Sequence, residues 1–296
     1  MTVDKPIFII GNIRSGTTVL YNLMSLHPDV CWFSNLSDRF PALYGLAFAH
    51  RLLDAPTFLK LQAQAIAFNR RMFPRFNFVP WPDEGDRIYH EYSGFGRSRD
   101  GVETRINDEM KRLLQGKIRE HLKMTGKRRF LSKQTANNRR LGLIDRMFPD
   151  AYYVHVIRDG RAVANSTLRV PWWNDMYVWW LGMTVSEWNR QGREPVELCG
   201  LNWMNTVEEI KKAARQLGAR YTEVRYEDLT RDVRGVVGEI VGYCQLNRSD
   251  TFFGLLPDTL PDMNRKWREQ LSDKQKRALH ESVGEFLIKL GYALDE

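Results

Sequence analysis

The sequence predicts an α/β fold: a central parallel sheet with helices on both faces, three layers in all. Two observations predict it. Four short apolar runs, Ile7 to Ile10, Phe130 to Ser132, Tyr152 to Ile157 and Tyr221 to Val224, read as buried parallel strands. Each run is followed by a turn or loop and then by apolar residues at helical spacing, and such strand–helix alternation builds parallel sheets. The 296 residues allow one elaborated domain or two small ones. We read a single domain over 1–296.

The first strand runs through Gly11–Thr18 into a helix with Val19, Leu20, Leu23, Met24 and Leu26 on one face. A long aromatic and charged stretch, about 31–126, then interrupts the rhythm, and Pro74, Pro80 and Pro82 divide its two helical segments. Behind the second strand lie Leu141, Leu143, Ile144, Met147 and Phe148, and Phe148-Pro149-Asp150 stops that helix. A second insertion, about 168–200, holds Trp172, Trp173, Trp179, Trp180 and Trp188. Insertions of this size in an open α/β sheet build the acceptor pocket over the carboxyl ends of the strands, so both are expected to be helical, acceptor-side lids. Leu279, Val283, Phe286, Leu287 and Leu290 share one face of a closing helix.

Composition excludes disorder, with 43% hydrophobic and 12% aromatic residues. A net charge of +8 favours anionic ligands without naming one. Cys31, Cys199 and Cys244 are odd in number and in no CxxC spacing, which argues against a disulfide framework or a thiolate zinc site and fits a reducing cytosol. The first strand begins too early to leave room for a signal peptide, and no apolar run approaches a membrane span, so a cytoplasmic protein without an integral membrane segment is expected.

The loop after the first strand, Gly11-Asn-Ile-Arg14-Ser15-Gly16-Thr17-Thr18, has the glycine spacing of the phosphate cradle GxxxxGK[ST]. Thr17 stands where a nucleoside triphosphatase has Lys, and the nearest cation is Arg14. A triphosphate site must neutralise about four charges, usually with Lys and Mg²⁺. A sulfonate carries one, so an Arg fork, hydroxyls and amides suffice without a metal. The third strand ends in Arg158-Asp-Gly-Arg161 and enters a helix containing Asn165 and Ser166. Arg158 leaves the sheet at the same edge as the first loop, placing a second phosphate anchor there.

These residues resemble the sulfotransferases that use 3'-phosphoadenosine 5'-phosphosulfate (PAPS). The 5'-phosphosulfate loop of that family looks like Arg14–Thr18, and its 3'-phosphate motif looks like Arg158–Ser166. The likeness continues in His27-Pro28-Asp29, Lys133 with Asn137, Phe148–Ala151, Arg225–Leu229 and Asn264-Arg265-Lys266-Trp267. It is nearest to the bacterial, glycan and tyrosylprotein branches. The resemblance implies a P-loop NTPase-like fold, PAPS as donor, a hydroxyl-bearing glycan, lipid or small-molecule acceptor, and no metal. It assigns donor binding to Arg14, Ser15, Gly16, Thr17, Thr18, Arg158 and Ser166, with Arg265 and Lys266 returning to the 3'-phosphate and Lys133 reaching the bridging oxygen or the sulfonate.

The base is where the chain departs from the family. The family's Glu position reads Phe33-Ser34-Asn35, and the His position of cytosolic relatives is Thr135. The remaining candidates are Glu84, Asp38 and His90. Glu84 ranks first because a charged cluster bounded by Trp81 and Tyr92 can be buried enough to raise a carboxylate's pKa. Trp32 or a lid aromatic is a candidate for stacking on adenine, and Trp172 and Trp173 for the acceptor. Two other classes compete: a nucleotide-dependent P-loop kinase, and a non-catalytic module for polyanions. The second is disfavoured, and nucleic acid with it, because no dense basic tract is interleaved with aromatics. A dinucleotide site at Gly94 and Gly96 lacks its third glycine.

Overall fold

The computed structural model describes residues 3–43, 45–67, 79–95 and 107–294. Its main sheet has five parallel strands in the order β2-β3-β1-β4-β7. They are β1 (Ile7–Ile10), β2 (Val30–Cys31), β3 (Arg129–Lys133), β4 (Tyr152–Ile157) and β7 (Tyr221–Arg225). A short antiparallel hairpin, β5 (Tyr177–Val178) and β6 (Met183–Thr184), stands apart from it. The four strands expected from the apolar runs are present.

Burial on both faces explains the apolar runs of β1, β3 and β4, whereas β7, expected to be buried, is an edge strand that is only partly covered and exposes Glu223. Along β1, Ile7 and Ile9 pack in one apolar cluster while Phe8 and Ile10 pack in another. The same alternation divides Leu131 from Phe130, and Val154 from Tyr153, so both faces of the sheet are covered. The first cluster takes in the helices Thr17–Met24 and Val233–Tyr243, and the second Asp108–Thr125 and Leu141–Met147. A third cluster gathers Trp173, Trp188 and Trp203 between the helices Gly160–Leu168, Val185–Arg190, Pro195–Ala214 and Asp273–Lys289. Gly160 is required there, because a Cβ would lie 2.5 Å from the Trp203 ring.

The register positions the chemistry. Ile9 pairs with Lys133 on one side of β1, and Ile10 with His155 on the other. The β1 loop, Lys133 and Arg158 therefore emerge side by side at the carboxyl edge of the three central strands. The chain reaches β3 and β4 on opposite sides of β1, which opens the crevice that α/β sheets use for ligands.

One further expectation changes. Trp173 is 1% exposed and belongs to the core, whereas Trp172 is 51% exposed, so only Trp172 remains free to touch an acceptor. Gly94 ends the helix Asp86–Ser93 at φ 70° and is a helix stop. Pro74 and Gly96 lie outside the described residues. No helix among the described residues is long and apolar enough to cross a membrane.

Candidate active site

The loop after β1 is held at its start by Asn138, whose side chain accepts from the Gly11 amide at 3.0 Å and donates to the Gly11 carbonyl at 2.7 Å. It then turns through Arg14 at φ 65° and Gly16 at φ 94°, both left-handed. Gly16 caps the helix Thr17–Met24, and a Cβ there would sit 2.3 Å from the Tyr226 ring. Only glycine meets both demands. The first amides of that helix have no intrahelical partner and carry its positive dipole end. Ser15 is buried, and its Oγ makes no hydrogen bond.

The strand-end anchor closes on this loop. Arg14 Nε donates to Ser166 Oγ at 2.9 Å, and an Arg158 terminal nitrogen donates to the Arg14 carbonyl at 3.0 Å. Arg158 also donates from Nε to Asn264 Oδ1 at 3.0 Å and from its other terminal nitrogen to the Met263 carbonyl at 2.7 Å. Its guanidinium lies over the Tyr226 ring, 4.3 Å from the centroid. Burial draws the Arg158 pKa down from the usual arginine value. Two motifs 144 residues apart thus form one unit.

A cavity of about 630 Å³ opens here. Arg14, Thr18, Arg158, Ser166 and Lys266 line it, with Lys133 and Glu84 at one end and the rings of Tyr226 and Trp172 among its walls. Lys133 and Glu84 form an ion pair, and Glu84 Oε2 accepts from the Thr135 amide at 3.3 Å. Both residues also line a smaller cavity of about 240 Å³ bounded by Asn22, Trp81, Pro82 and Asp83. They stand where the two spaces meet.

The other nominated bases are elsewhere. Asp38 Oδ1 accepts from the amides of Arg87 and Ile88, at 2.8 and 3.1 Å, and so caps the helix Asp86–Ser93. Its carboxyl is pushed up to about 6, mainly by burial, but it lines neither cavity. Truncation to Ala is expected to cost about 1 kcal/mol of stability, read as a lower melting temperature. Asp38→Asn should retain that stability, and turnover per folded molecule should survive in both variants. His90 is exposed on the same helix and lines neither cavity. Arg265 is also displaced: it lies 3.8 Å from Asp262 and lines a separate cavity. Trp32 is buried against His50, with its indole N–H on the Ser25 carbonyl, and cannot meet a ligand in the large cavity.

A protein-family model described as "Sulfotransferase family" matches residues 6–250, which takes in the loop, Lys133 and the Arg158 anchor. The chain belongs to the sulfotransferase family. Solved sulfotransferases share its fold. Sulfotransferase STF9 from Mycobacterium avium is 15% identical at a TM-score of 0.59, the match covering 99% of this chain and 78% of that one. The sulfotransferase domain from the curacin biosynthetic pathway is 13% identical at 0.54, covering 99% of both chains. Sulfotransferase STF1 from Mycobacterium tuberculosis H37Rv is 17% identical at 0.56, covering 94% and 77%. No curated protein matches the chain.

In this sulfotransferase three contributors escaped the sequence reading. Tyr226 and Glu227 lie in the block Arg225–Leu229, and Asn264 in the block Asn264–Trp267, both noticed as motifs without a role. Glu227 Oε1 accepts from the Asp159 amide at 3.0 Å and from Asn264 Nδ2 at 2.9 Å. Burial raises the Glu227 pKa.

Proposed function

We propose that this sulfotransferase transfers the sulfonyl group of PAPS to a hydroxyl of a glycan, lipid or small-molecule acceptor and releases adenosine 3',5'-bisphosphate. One observation carries the reading: a single cavity is lined by both the β1 loop and the Arg158–Ser166 anchor, with Lys133 and Glu84 at its end. The donor set fits such a ligand. Ser15 Oγ is buried without a partner, the loop amides supply neutral donors, and Arg14, Arg158 and Lys266 supply three cations. The single-domain reading accords with one continuous crevice. The three free, buried cysteines are consistent with a reducing cytosol.

The donor supplies an already activated sulfonyl group. The chain's own residues bind and orient it, and Glu84 takes the proton of the attacking hydroxyl as the new O–S bond forms and the bond to the 5'-phosphate breaks. Lys133 and the loop amides face the charge that develops on the sulfonyl and phosphate oxygens. The smaller cavity beyond Glu84 is the place for the acceptor, and Trp172, half exposed, lines the larger one.

Thermal-shift titration separates the readings. Adenosine 3',5'-bisphosphate is expected to raise the melting temperature without added metal, and more than ATP or NAD does. A larger shift with ATP and Mg²⁺ would favour a kinase. Equal, steeply salt-dependent shifts with all three would favour a polyanion module.

A further inference from the structure

Arg158 has five N–H donors, and Asn264 Oδ1, the Arg14 carbonyl and the Met263 carbonyl take one each. One donor remains on each terminal nitrogen, the arrangement that grips two oxygens of a phosphate. The plane of that fork depends on Nε, and Nε is held by Asn264. The orientation of the Asn264 amide follows from its neighbours: its oxygen must face the donor Arg158, and its NH₂ must face the acceptor Glu227. The Asn264 backbone amide is tied to Asp262 Oδ1 at 2.7 Å. Glu227 fixes the strand end as well, through the Asp159 amide, while Tyr292 donates to its Oε2 at 3.3 Å. One carboxylate therefore grips both the backbone that carries Arg158 and the side chain that aligns its guanidinium.

We propose that Glu227 is a positioning residue that, through Asn264 and the Asp159 amide, sets the plane of the Arg158 guanidinium and thereby the preference for nucleotides bearing a 3'-phosphate. This rests on the reading of Arg158 as the 3'-phosphate anchor. Glu227 does not line the large cavity that holds Arg14, Arg158 and Ser166. Its effect is confined to what Arg158 recognises.

The test is calorimetric titration with adenosine 3',5'-bisphosphate and with adenosine 5'-phosphate, which lacks the second anchor group. Wild type is expected to prefer the bisphosphate. Glu227→Ala and Asn264→Ala should each weaken the bisphosphate about tenfold, the worth of a charge-assisted hydrogen bond, while leaving adenosine 5'-phosphate unchanged. Glu227→Gln should retain the preference, since its amide oxygen still accepts from both N–H groups. In an Arg158→Ala background, Glu227→Ala should add nothing further. Equal weakening of both nucleotides, or additive losses with Arg158→Ala, would show a purely structural role and overturn the proposal. Should Glu227→Ala fail to fold, Asn264→Ala carries the same comparison. A wild type without preference for the bisphosphate overturns the donor reading, and this inference with it. A preference that persists in both Ala variants overturns this inference alone.

Discussion

Replacing Arg14 by Ala is expected to lower kcat/KM for the donor by about 10²–10³, the usual cost of removing one preorganised charge-stabilising group. Arg14 is the cation inside the loop, and its Nε binds Ser166 of the other anchor at 2.9 Å. The substitution therefore removes a charge and also frees Ser166. Ser166→Ala leaves the cation in place, so it should raise the donor's KM more than it lowers kcat. The two residues share a contact, and their effects should be less than additive. Unchanged donor kinetics in both variants would remove these residues from the site.

The second large effect is expected at Glu84. Of the three nominated bases, only Glu84 lines the cavities, and it stands with Lys133 where they join. Glu84→Gln preserves shape and one of the two hydrogen bonds that Glu84 accepts from Lys133 and the Thr135 amide, but cannot take up a proton. It should lower kcat by about 10²–10⁴, the range for general-base catalysis, with little change in bisphosphate affinity. His90→Ala, on the exposed side of the neighbouring helix, should leave kcat intact. If Glu84→Gln turns over like wild type while His90→Ala does not, the proton leaves by another route.

The contrast between these residues shows what the sequence carries. Strand identity was legible because burial on two faces leaves uninterrupted apolar runs, and Ile7–Ile10 is buried on both. β2 was not read, since two residues, Val30–Cys31, cannot display a period. The loop and the Arg158 anchor were legible because a glycine turn and a strand-end arginine are local in sequence. Which carboxylate reaches the cleft was not, because Asp38 and Glu84 both lie in one insertion. What separates them is folding: helix Asp86–Ser93 takes Asp38 as its cap, while Lys133 of β3 takes Glu84 into the cleft.

The same limit explains the neighbours Trp172 and Trp173. Both are bracketed by Pro171 and Asn174, yet a single 3₁₀ turn sends one into the core and leaves the other half in solvent. Asn264 and Glu227 escaped for a further reason. Their roles arise only from partners distant in the chain, 106 residues for Arg158–Asn264 and 37 for Asn264–Glu227. Spacing within a motif carries no trace of such contacts. Arg265 shows the reverse, a motif residue beside Lys266 that the loop turns into a different cavity.

The central claim is that one nucleotide bridges the β1 loop and the Arg158 anchor, and a crystal structure of the complex with adenosine 3',5'-bisphosphate tests it most directly. The expected density places the 5'-phosphate on the amides of Ser15–Thr18 and the 3'-phosphate on Arg158 and Ser166, with the Asn264–Glu227 bond intact. A nucleotide bound outside this cavity, or one whose 3'-phosphate lies beyond hydrogen-bond reach of Arg158, would contradict it.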